Sequence, residues 1–62
     1  MIILKILPSA KKGMHNYYEV IFEENFIEKS VICKEKEIIK EFAIDKKEFK
    51  LILRDSIMNE KF

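Results

Sequence analysis

The side chains able to do chemistry are few in this chain and far apart in sequence. His15 is the only histidine and Cys33 the only cysteine. An imidazole works as a base or a metal ligand when a carboxylate, a thiolate or a second imidazole stands beside it. Met14, Asn16 and Tyr17 supply none of these, so His15 reads as a solvated turn residue. Cys33 lies at the end of a β-like run, where cysteine usually packs as a small hydrophobe. Lys34 and Lys36 are weak support for a reactive thiolate. A single cysteine excludes an intrachain disulfide and a cysteine-based zinc cluster. Glu23 and Glu24 are adjacent but lack the spacing of a calcium loop, and Gly13 stands alone, with no glycine-rich phosphate loop around it. Ser9, Ser30 and Ser56 do not assemble with the one histidine into a nucleophilic set. The expectation is a non-enzymatic protein that uses no cofactor or metal.

Two surfaces remain. Lys11, Lys12 and His15 stand beside Tyr17 and Tyr18, a basic turn with adjacent aromatics that suits contact with phosphate, a stacked base or a protein partner. The same composition is ordinary for an exposed turn leading into a strand. Twelve basic and eleven acidic residues leave a net charge of +1, and Arg54 is the only arginine. Arginine is the side chain suited to bidentate reading of guanine, so any nucleic-acid contact is expected to be weak or indirect. The second surface is the pair of outer edges of a small sheet, which can accept a further strand. Lys5 and Lys29 oppose such pairing.

These residues must be positioned by short elements, because 62 residues make one domain, 1–62. A chain this small buries only about 60% of the surface its unfolded form exposes, which leaves little room for a deep cleft. The hydrophobic period changes near Lys34. Upstream, β-branched and aromatic runs predict strands over Ile2–Leu7, Tyr17–Phe22 and Phe26–Cys33. Ile2, Leu4 and Ile6 share one face of the first strand. Tyr18, Val20 and Phe22 share one face of the second, and Ile27, Val31 and Cys33 one face of the third. Turns fall at Lys11–Asn16 and at Glu23–Asn25, where Asn25 tolerates a left-handed backbone. Downstream, Ile38, Ile39 and Phe42 make one helical stripe within Glu35–Ala43. Phe49, Ile52, Leu53 and Ile57 make another, and Asp45 with Glu48 has the spacing of a capping box that starts it. The class is α+β: a three-stranded antiparallel meander followed by two helices packed on one face, β-β-β-α-α.

Taken in order, these segments resemble the N-terminal region of RecX-type regulatory proteins, the bacterial modulators of the RecA recombinase. The matching stretches are Leu4–Leu7, Lys11–Gly13, Tyr17–Phe22, Glu23–Phe26, Val31–Glu35, Ile38–Phe42 and Asp45–Phe49. The passage Ala43–Ile44–Asp45 is shorter than the Lys-Lys-Gly turn usual in that family, and the family's helical repeats are absent. The resemblance implies a regulatory module that acts by protein contact on a recombinase–DNA filament, in DNA recombination and repair. It assigns no functional residue.

The leading expectation is therefore such a module, cytoplasmic, with a recombinase filament or another protein as partner. The last helix has no Gly or Pro stop after Ile57, which suits an ordinary frayed terminus and the leading module of a longer protein equally. Two alternatives stay beside it: a stand-alone small nucleic-acid-binding domain using Lys11–Tyr18, and a homodimer formed through a sheet edge or the Phe49–Ile57 face. The apolar opening run, Met1–Pro8, is too short to span a bilayer, so no membrane role is expected.

Overall fold

The computed structural model describes residues 1–9, 13 and 16–59. Five elements follow in chain order: β1 (Ile2–Pro8), β2 (Tyr17–Glu24), β3 (Ile27–Lys34), α1 (Glu35–Glu41) and α2 (Lys46–Asn59). The strands form one antiparallel sheet in the order β1-β2-β3, and both helices cover the same face. This is the β-β-β-α-α arrangement that the change of period predicts. No helix among the described residues is long and apolar enough to cross a membrane.

The core is small. Ile6, Val20, Phe22, Ile38 and Phe49 are buried, and a ring of half-buried residues such as Ile3, Tyr18, Ile52 and Leu53 closes around them. Tyr18 meets Phe49 edge to face at 5.1 Å between ring centroids, and Phe22 meets Phe42 at 5.2 Å. Both pairs have the T-shaped geometry that aromatic quadrupoles favour, and they join the second strand to the helical layer.

The face of β1 differs from the alternation expected for it. The pairing with β2 runs Ile2↔Glu23, Ile3↔Phe22, then Lys5↔Ile21 and Ile6↔Val20, so Leu4 is an extra residue in the strand. Such a bulge shifts the side-chain phase by one. Ile3 and Ile6 consequently face the core, while Ile2 (62%) and Leu4 (45%) are exposed.

The β2–β3 turn is also displaced. It consists of Asn25 and Phe26, both left-handed at φ 54° and 65°, and β3 starts only at Ile27. Two consecutive left-handed residues between paired strands make the turn whose twist matches a hairpin. Glu24↔Ile27 then closes the ladder, which runs without a shift to Tyr17↔Lys34.

Each helix start uses one half of a capping box. At α2 the Asp45 carboxylate accepts the Glu48 N–H at 2.7 Å. At α1 the Glu37 carboxylate accepts the Lys34 N–H at 3.0 Å. The α1 end is closed by Ala43, left-handed at φ 52°, with the Ile44 N–H donating to the Ile39 carbonyl at 3.3 Å. That is the six-to-one bond of a Schellman ending, with the flanking Ile39 and Ile44 both packed on the core.

Candidate interaction surface

Ser56 is the one buried polar residue among those described. Its position follows the α2 stripe, Phe49–Ile52–Leu53–Ser56, so a serine stands where the apolar pattern would place a hydrophobe and Ile57 lies beside it. The Ser56 hydroxyl accepts the Ile6 N–H at 3.0 Å and donates to the Ile52 carbonyl at 2.7 Å. The role is structural: an outward amide of β1 would be buried beneath α2 without a partner, and Ser56 satisfies it.

Cys33 is half-buried on the helix-covered face. Burial pushes its thiol above the usual range, and the carboxylates of Glu37 and Glu41 push it further the same way. Raising the pKa keeps the protonated form, the opposite of what a nucleophile needs. Cys33, Glu37, Glu41, Phe22, Val31 and Phe42 line an apolar, acid-rimmed groove of about 360 Å3 together with Met1. No group of three or more His, Cys, Asp or Glu side chains able to hold a metal occurs among the described residues.

The two tyrosines that follow the basic turn divide between the two faces of the sheet. Lys11, Lys12 and His15 lie outside the described residues; Gly13 within that turn is left-handed at φ 84°. Tyr17 and Tyr18 are adjacent in a strand and so point to opposite faces. Tyr18 turns to the core and Phe49, and its edge borders an open hollow of about 410 Å3 shared with Asn16, Lys34, Glu35 and Lys36. Tyr17 turns to the open face, where the Lys34 ammonium lies 5.5 Å from its ring centroid. The two rings therefore do not form one stacking platform.

A site that sequence reasoning does not single out lies at the hairpin tip. Phe26 is 97% exposed, and Met1 and Ile2 beside it are also exposed. With Glu23, Glu24 and Asn25 these three apolar residues border an open cavity of about 400 Å3. A phenylalanine in the left-handed region is a genuine outlier for a bulky residue. Here it gains no packing in return. The signal in the sequence is Asn25–Phe26 at a place where Asn-Gly would be usual.

No family model matches the chain, and comparisons with curated proteins and with solved structures find no match.

Proposed function

We propose that this chain is a non-enzymatic interaction module, of the kind that opens a RecX-type protein, and that it modulates a recombinase–DNA filament in the cytoplasm by protein contact. The observation that carries the contact reading is Phe26: a large apolar ring, fully exposed, on a turn whose backbone it strains. Backbone strain without a folding benefit is characteristic of positions kept for contact. Met1 and Ile2 extend the same apolar end. The recombinase as partner rests on the ordered resemblance of the segments alone.

The test is co-sedimentation of the full chain with RecA filaments on single-stranded DNA. Phe26→Gly separates contact from folding. Relief of a left-handed bulky residue, offset by the entropy of glycine, is worth about 1 kcal/mol of stability, so the variant should melt later and bind less. Failure of the parent chain to sediment with the filament refutes the recombinase reading, and undiminished binding by Phe26→Gly refutes the tip as its contact. Sedimentation with the DNA alone, lost on adding salt, would move the contact to nucleic acid.

A further inference from the structure

The two edges of the sheet are finished differently. On β1, Leu4 bulges, Pro8 ends the strand, and Ser56 occupies the outward Ile6 N–H. The β3 edge has none of these devices. It is eight residues long, unbulged and free of Pro and Gly, and exposed from Ile27 to Val31. The two-residue turn makes Glu24 and Ile27 a hydrogen-bonded pair, so the odd-numbered residues of β3 bond to β2 and the even-numbered ones turn outward. The opposite side of β2 agrees: the Tyr17 carbonyl accepts the Ser9 N–H at 3.0 Å, on the β1 side. Glu28, Ser30 and Ile32 thus present their amides and carbonyls at the edge, away from β2, with Glu28 and Ser30 exposed and Ile32 half-buried. Such an edge is a template for a further strand.

We infer that the β3 edge pairs with the β3 edge of a second copy, antiparallel about Val31, joining two sheets into one of six strands. The charge pattern selects both partner and register. A two-fold axis through Val31 places Glu28 opposite Lys34 of the other copy, twice, on the open face. On the helix-covered face it places Lys29 opposite the other copy's Cys33, which shares its groove with Glu37 and Glu41. Opposite charges therefore meet on both faces, with Val31 against Val31 at the centre. An axis through Ser30 instead sets Glu28 against Ile32 and Lys29 against Val31, and an axis through Ile32 sets Ser30 against Lys34. Neither gives a cross-strand ion pair within the strand. Among the described residues Lys29 is held within its own chain by an exposed pair with Glu24 at 3.1 Å, which is weak enough to exchange.

Sedimentation equilibrium of the full chain reads the mass directly. The parent should move from 7.5 kDa toward twice that value as concentration rises to the millimolar range. Glu28→Lys and Lys34→Glu should each keep the monomer mass, and the double variant should regain the dimer. Both substitutions suit the isolated fold: Glu28 lies opposite Glu23, so its reversal removes a like-charge pair, and an acidic residue is favoured at the start of α1. Amides of Glu28, Ser30 and Ile32 should gain protection from exchange with concentration. A parent that stays monomeric, or a dimer indifferent to the charge reversals, overturns the inference. Phe26→Gly should dimerise like the parent, which keeps this result separate from the filament-binding test.

Discussion

Removing the Ser56 hydroxyl should destabilise the fold out of proportion to the single oxygen lost. Ser56 is 4% exposed and its oxygen is the partner of the Ile6 N–H, whose own residue is fully buried. Ser56→Ala leaves that amide without water or protein, a cost of about 1–3 kcal/mol. Against it stands the higher helix propensity of alanine, about 0.5 kcal/mol. The net loss is then about 1–2 kcal/mol, from a total that for this length is on the order of 3–9 kcal/mol. In a domain of this size each kcal/mol moves the melting temperature by about 4–8 °C, so melting followed by circular dichroism should fall by about 5–15 °C. The comparison of Ser56→Thr with Ser56→Val isolates the hydroxyl, because both add the same crowding and only threonine keeps the acceptor. Threonine should be the more stable of the two, and amide exchange at Ile6 should accelerate in the alanine and valine variants. Equal melting of the Thr and Val variants, with unchanged exchange at Ile6, would refute the reasoning.

Other outcomes follow from single residues. Ala43→Gly removes a Cβ from a left-handed helix ending whose bonds need only backbone, and should raise stability by about 1 kcal/mol in urea titration; a loss would show that Ala43 packs more than it strains. The Cys33 thiol should react with an aromatic disulfide more slowly in the folded chain than in the unfolded one, and Glu41→Gln should speed the reaction by removing one raising charge. The sign for stability is fixed by the same shift. The unfolded thiol ionises first, near pH about 8.5, so folding stability is intact below that pH and declines as pH rises toward the higher folded value. A stability difference between the parent and Cys33→Ala that does not shift against the parent as pH rises through this range would contradict this.

The order of the elements was legible because each half of the chain repeats its own period long enough to be read. Ile38, Ile39 and Phe42 cannot share a strand face, and Tyr18, Val20 and Phe22 cannot share a helix stripe. The phase of β1 was not legible. Its bulge falls at Leu4, a residue with no turn chemistry, and alternation counted from Ile6 then assigns Ile2 and Leu4 to the wrong side. Ser56 was hidden for a different reason. A serine in an apolar stripe looks like a gap, and the need it meets, the outward amide of Ile6, lies fifty residues away and belongs to no local window. Phe26 was hidden by its own type: Asn25 marked the turn, but a bulky aromatic following it read as the first residue of a strand. The separation of Tyr17 from Tyr18, by contrast, needed only the period of the strand that contains them.

The lysines of the edge strands show why charge alone does not settle whether an edge is closed. Lys5 and Lys29 look equivalent in sequence, each a cation that would have to be placed beside an incoming strand. A cation deters a neutral or basic neighbour, but it favours an acidic one. Lys5 works with a bulge, a proline and the helix that brings Ser56, so the β1 edge is obstructed whatever the charge of the visitor. Lys29 works alone on a regular strand, within a chain that carries Glu28 one residue before it and Glu37 and Glu41 on the helix that follows. The residue that keeps other strands away from β3 is thus the one that makes the chain's own copy acceptable. Reversing Lys29 to glutamate should weaken self-pairing while leaving the β1 edge closed. It should do so more at low ionic strength than at high, since a like-charge cluster with Glu37 and Glu41 is what replaces the attraction.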